Sequence, residues 1–278
     1  MSFFSRMKFY CDIDAIESQI ALIALYEKKK DFKILSSMDG IQMALHLSGG
    51  KLPLLVTREA ADKTEERISG LAAILVYLGY DQLEDNMWSI LSEVNLLTYG
   101  TCQHADKVVS QIRWPYNEDS VRDKVIQNRL DIMTHLKVEK PYEIEMTLDD
   151  VASHLTKINL FLESIQMQYL QNEQRIGVWL SGVQFSSLDC LVTGILLRLH
   201  QLGHDSLWTE GEKADIAMYA NQAFQRASAL KAVPWKDHQS EISIFDQESP
   251  EVKHARYACY AAIGLASVYV VKKVFFKK

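Results

Sequence analysis

Residues 179–202 read WLSGVQFSSLDCLVTGILLRLHQL, and this stretch decides how the chain is organised. Ser186 stands three residues before Asp189. At that spacing an N-cap hydroxyl and an N3 carboxylate each bond the other's backbone N–H. Beyond the cap, apolar residues fall on nearly every helical face, which reads as a buried central helix. Gly203 follows, the residue type that most readily ends a helix.

Working outward, every segment after residue 80 reads as helix. Trp88, Leu91, Val94 and Leu97 recur at helical spacing within 81–99. Residues 117–138 read as a charged helix, the expected place for a partner surface, and 146–174 as one long amphipathic helix. Residues 215–229 read as a last helix, with Pro234 and Trp235 closing the body. Before residue 80 the character differs. Residues 8–13 (KFYCDI) and 32–35 read as short buried strands. Between them Ile16, Ile20, Ile23 and Ala24 form a helical stripe, with Asp14 and Glu17 at capping-box spacing and Lys28–Lys30 near its end. Strand–helix–strand implies a parallel pair with a right-handed crossover. Gly49-Gly50 is a breaker; KLPLLV (51–56) is a strand entered through Pro53, and a fourth strand is expected near Arg67, leading into a helix that ends by Tyr80. The expected class is therefore an α/β domain over 8–80 followed by an all-α domain over 81–236.

The net charge of −6 is unevenly spread: from Glu251 onward six bases face one acid, which leaves −11 on residues 1–250. An acidic body argues against nucleic acid as a partner, because phosphate binding needs a basic face. Cys11, Cys102, Cys190 and Cys259 form no close pair and no metal spacing, which fits free thiols in a reducing compartment. His200 and His204 are four apart, but Gly203 ends the helix between them, so no metal site is expected. Residues 99–104 (YGTCQH) place Cys, Gln and His together in what reads as a loop packed on the first domain.

A polar linker is expected over 237–256 and a transmembrane helix over 257–276. Residues 257–271 (YACYAAIGLASVYVV) carry no charge. Fifteen residues at about 1.5 Å rise span roughly 22 Å, short of a hydrocarbon core of about 30 Å. Counting to Phe276 gives enough length, with Arg256 bounding one side and Lys272 and Lys273 snorkelling at the other. The expectation is a C-terminal tail anchor inserted after translation, with the lipid bilayer as partner and the body in the cytosol. Ala258, Ala262 and Ala266 share one face of that helix and allow close packing, hence a homodimer.

The organisation resembles the glutathione-transferase superfamily, with a thioredoxin-like N-terminal domain and a helical bundle. KLPLLV is similar to that family's x-P-x-L strand, which implies a cis peptide at Pro53 pairing with the tripeptide backbone. Residues 179–189 are similar to its G-x-x-F-S/T-x-A-D helix start. FYCDIDAIESQIALIA (9–24), LLTYGTCQHADKVVSQI (96–112), LLRLHQLGHDSLW (196–208) and the apolar tail resemble the ganglioside-induced differentiation-associated protein 1 family. That resemblance implies a mitochondrial outer membrane protein, also found on peroxisomes, linked to fission and network shape through protein or lipid contacts. The runner-up likeness is to the metaxins, subunits of outer-membrane import, on Ile68-Ser69-Gly70 and Tyr77-Leu78.

Glutathione chemistry would require a thiol or hydroxyl where the first helix starts, for which Cys11 and Ser18 are the candidates. It would also require the cis-proline backbone, at Pro53, and an acid–Ser pair opening the helix after the fourth strand to bind the γ-glutamyl carboxylate. Ser69-Gly70 occupies that last region without an acid beside it. Three readings stand at this point: an adaptor on the organelle surface, with no cofactor; a membrane-bound glutathione transferase or peroxidase; or a subunit of outer-membrane protein import.

Overall fold

A computed structural model describes residues 7–12, 15–58, 65–104, 146–171, 177–210 and 213–232. Residues 1–234 form one compact unit and 235–278 a second. The linker (237–256), the apolar segment (257–276) with Arg256, Lys272 and Lys273, the cap residue Asp14 and the segment 117–138 lie outside the described residues. No helix among the described residues is long and apolar enough to cross a membrane.

Four strands form one sheet: β1 (Met7–Tyr10), β2 (Phe32–Leu35), β3 (Leu54–Arg58) and β4 (Glu65–Ser69), in the order β2-β1-β3-β4. β1 and β2 are parallel, as the strand–helix–strand pattern requires, while β3 runs antiparallel to both β1 and β4. Helix α1 (Ile16–Glu27) makes the crossover. Its stripe of four apolar residues proves too modest a description, since Ile16 and Ser18 to Leu25 are all buried. Tyr26 and Phe9 both pack on Phe32, with ring centroids 5.0 and 6.1 Å away, which seats α1 on one face of the sheet.

The other face is covered by a helix absent from the sequence reading, α2 (Met38–Ser48). The Ser37 hydroxyl accepts the Gly40 N–H, and Gly49 ends the helix at φ 66°, a conformation glycine adopts without penalty. Both signals stand in the sequence, where Gly49-Gly50 reads only as a breaker. α2 sets Ala44 and Leu47 against Tyr10, Leu54 and Val56. Helix α3 (Leu71–Tyr77) follows β4 directly, because residues 65–69 pair with β3 and cannot also be helical.

The helical part comprises α4 (Asp85–Gln103), α5 (Leu148–Ile165), α6 (Ser187–Gln201), α7 (Ser206–Thr209), α8 (Ala214–Phe224) and α9 (Ala227–Lys231). Two expectations are corrected. Residues 99–103 are the last turn of α4, not a loop. The single helix expected over 215–229 breaks at Gln225 and Arg226, where Arg226 takes an extended conformation and is held by partners outside the helix. The long helix expected over 146–174 begins with a capping box between Thr147 and Asp150 and passes after Ile165 into one wider π-helical turn, Gln166–Leu170.

Helix α6 is the centre of the unit: of Ser187–Gln201 only His200 is exposed. It lies against α1, α4, α8 and α9. Gly194 is where α1 comes closest, since a Cβ placed on it would fall 2.6 Å from Ile20 Cγ1.

Candidate functional site

The strand register gathers three of the sequence candidates at one end of the sheet. Tyr10 is opposite Leu54, and Leu54 opposite Ser69, so the next step brings Cys11, Pro53 and Gly70 level across β1, β3 and the end of β4. The Leu52-Pro53 peptide is cis, as the x-P-x-L likeness implied. The Gly70 N–H donates to the Pro53 carbonyl at 2.7 Å, and the Cys11 N–H to the Leu35 carbonyl at 3.3 Å. Pro53 and Cys11 are buried.

Chemistry at this edge would need a reactive group that reaches a ligand. The Cys11 and Ser18 residues are both 0% exposed. Ser18 lies on the α1 surface that turns into the body, and its hydroxyl meets no partner among the described residues. Gly70 (φ 86°) sits immediately before α3 and offers no side chain there. The edge therefore brings the cis peptide, Cys11 and Gly70 level, while its thiol and hydroxyl candidates are buried.

The second pair, Ser186 and Asp189, forms the expected capping box. The Asp189 N–H donates to the Ser186 hydroxyl at 3.2 Å, and the Ser186 N–H to Asp189 Oδ2 at 2.9 Å. The carboxylate does more than cap. It accepts the Leu180 N–H and the Tyr219 hydroxyl on Oδ1, both at 2.9 Å, so the buried Asp189 ties the 177–186 loop and α8 to the start of α6. Burial and that carboxylate push the Tyr219 phenol well above its ordinary range. Burial raises the Cys190 thiol likewise; it is 0% exposed and inert at neutral pH.

Two further clusters carried no sequence signal. Arg226 donates from Nε to Glu27 Oε1 at 2.7 Å and from Nη2 to Glu27 Oε2, while the Ser228 hydroxyl also donates to Glu27. The guanidinium lies 4.7 Å from the Trp179 ring centre and 4.5 Å from that of Phe185. Burial alone would raise the Glu27 carboxyl, but the bonds from Arg226 and Ser228 outweigh it and hold it below the usual range.

The other is a buried polar layer between α1, α4 and α6. Gln19 Nε2 donates to Gln201 Oε1 at 3.5 Å, Arg198 Nη1 to Thr98 Oγ1 at 3.3 Å, and Thr101 Oγ1 is 3.1 Å from His204 Nε2. Asn95 completes it at the edge: its Oδ1 accepts the Ile16 N–H and its Nδ2 donates to both Glu17 oxygens. Glu17, expected to cap its own helix, is thus held by α4. Burial pushes His204 down to about 4, with Asp205 opposing weakly, so the imidazole is neutral at physiological pH. His200 Nδ1 instead faces Asp205 at 3.6 Å. Among the described residues no group of three or more His, Cys, Asp or Glu is placed to hold a metal ion.

No protein-family profile and no curated protein matches the chain. Among solved structures it is similar to a glutathione S-transferase from Rhodospirillum rubrum F11 (17% identity, 81% of this chain and 91% of that one, TM-score 0.48). It is also similar to a glutathione transferase family member from Pseudomonas fluorescens pf-5 with two glutathione bound (12%, 84% and 95%, 0.49) and to FzlA from C. crescentus (18%, 82% and 91%, 0.49). The architecture itself stands on the β2-β1-β3-β4 order, the parallel β1–β2 pair and the cis-proline: a thioredoxin-like sheet followed by an all-helical region.

Proposed function

We propose that the chain is an adaptor on the mitochondrial outer membrane, also serving peroxisomes, that acts in organelle fission and network shape through contacts of its body rather than through catalysis. The observation that carries the membrane part is the uncharged run 257–271 with basic residues on both flanks. What favours contact over catalysis is the burial of Cys11 and Ser18 together with the glycine at position 70. A γ-glutamyl carboxylate would meet no acid–Ser pair there, only Ser69 at the end of β4 followed by a glycine. The test is a fluorescent fusion with and without residues 251–278. The adaptor reading expects mitochondrial rims for the full chain and a diffuse signal for the truncation; a diffuse signal from both removes it.

A second reading, a glutathione-dependent transferase on the membrane surface, draws on one specific observation. The cis Leu52-Pro53 peptide has the geometry that such enzymes use to pair with the tripeptide backbone. Calorimetry separates the two. Micromolar-to-low-millimolar glutathione binding that Cys11→Ala or Ser18→Ala abolishes would establish the transferase reading and end the adaptor one.

A further inference from the structure

One row of the sheet breaks a pairing rule. Lys8 of β1 is registered directly opposite Lys33 of β2, and both side chains are exposed. Like charges placed opposite each other on neighbouring strands destabilise a sheet. The row continues across the fold. Lys8 is opposite Val56 on β3, and Val56 opposite Arg67 on β4, which is also exposed. Cross-strand partners share a face, so Lys33, Lys8 and Arg67 stand in one line on the same side, about 14 Å from end to end at about 4.8 Å per strand. That side is the one α2 covers: Tyr10, Leu54 and Val56 are buried beneath it, while Lys8 and Lys33 on one side of Val56 and Arg67 on the other stay exposed.

None of the three cations makes an ion pair with a described residue. Among the described side chains, the acids on the same side sit at its corners: Asp31 just before β2, and Glu65 on β4 opposite Arg58 in the register. Lys29 and Lys30, both exposed, lie in the turn that leads into β2. A linear basic row with no ion-pair partner among the described residues is a conspicuous exception on a body whose first 250 residues carry −11.

We propose that this row is where the body rests on an anionic phospholipid surface. The proposal deepens the membrane reading given above and rests on it. A planar array of headgroup phosphates can face all three cations at once, and it relieves the repulsion between Lys8 and Lys33. A bilayer with negative surface potential attracts juxtaposed Lys and Arg side chains over a Debye length of about 8 Å. A chain already tethered to that bilayer needs only a weak contact to set its orientation.

The test is lysine acylation of the full chain with a water-soluble amine-reactive ester, read peptide by peptide by mass spectrometry. One arm uses phosphatidylcholine vesicles, a second adds about a third anionic phospholipid, and a third replaces vesicles by inorganic phosphate. The expected result is acylation of Lys8 and Lys33 about threefold slower on anionic than on zwitterionic vesicles, reversed by about 0.5 M salt. Lys157 and Lys231 should not change. Lys33→Glu, which turns the repulsive cross-strand pair into an attractive one and so keeps the sheet, should restore the Lys8 rate on anionic vesicles. Equal Lys8 rates on the two vesicle types, uniform slowing of every lysine, or the same protection from inorganic phosphate alone would each overturn the proposal. Flotation of the chain on zwitterionic vesicles scores the anchor separately. Protection of Lys8 on anionic vesicles without that flotation removes the anchor and keeps the basic row; flotation without protection does the reverse.

Discussion

Gly194 and Ile20 mark the closest approach of α1 to α6, with the glycine Cα so near the isoleucine that a methyl group would fall 2.6 Å from Ile20 Cγ1. The two helices belong to different halves of the sequence, one to the α/β part and one to the helical part. Their contact joins those halves in a single compact unit. Both residues are fully buried, so there is little room for either to yield.

Gly194→Ala is expected to destabilise by about 1–3 kcal/mol despite the better helix propensity of alanine, because overpacking in a closed core forces off-rotamer side chains. Ile20→Ala alone should cost about 2–5 kcal/mol. The double variant should cost clearly less than the sum, since removal of Cγ1 makes room for the new methyl. Urea denaturation of the four proteins measures the cycle; strict additivity would show that the contact is not the constraint.

The two members of the α6 capping box should differ in weight. Ser186→Ala removes one cap bond and should cost about 1 kcal/mol. Asp189→Ala also orphans the buried Leu180 N–H and leaves the Tyr219 hydroxyl only its longer contacts with Thr193 and the residue-189 carbonyl, and should cost about 3 kcal/mol or more. Equal losses in chemical denaturation would mean that Asp189 is only a cap.

The Glu27–Arg226 pair should respond to both substitution and acid. Arg226→Lys keeps the charge but loses the planar fork that bonds both carboxylate oxygens, with an expected loss of about 1–2 kcal/mol. A carboxyl held below its ordinary value binds fewer protons folded than unfolded. Its contribution is therefore present above the ordinary glutamate range and fades as pH falls through the lowered value. In Arg226→Ala that fading should disappear from a stability-versus-pH curve.

His204 acts in the same direction but at higher pH. Its folded value of about 4 lies below the unfolded value of about 6.5, so between the two the unfolded chain takes up a proton that the folded one refuses. Stability should therefore fall by about 2 kcal/mol from pH 7.5 to pH 5 on this account alone. His204→Gln, which keeps a polar partner for Thr101, should flatten the curve in that window. Thermal melts across the range decide it.

Much of the fold was legible because its signals are local. The strand at Phe32–Leu35, the fourth strand beside Arg67 and the Ser186–Asp189 cap each depend on residues within a few positions, whereas the cis bond before Pro53 is implied only by the x-P-x-L resemblance. Local signals can also go unread: α2 carries a hydroxyl cap at Ser37 and a glycine stop at Gly49, yet Gly49-Gly50 reads in the sequence only as a breaker. The site candidates were legible only as residue types. Pro53 stands where its motif requires, whereas Cys11 and Ser18 have the right chemistry and turn away from solvent.

What the sequence determined by itself is therefore the order and kind of most elements, the capped central helix, the uneven charge and the uncharged run near the end. Tertiary structure alone decided which distant residues meet. Asn95 caps a helix that begins 79 positions earlier, Arg226 interrupts a helix to reach Glu27 199 positions away, and Lys8 stands opposite Lys33. Propensity and capping act over one helical turn, while these contacts arise from packing two layers on a common core. Only the folded chain brings them within reach of each other.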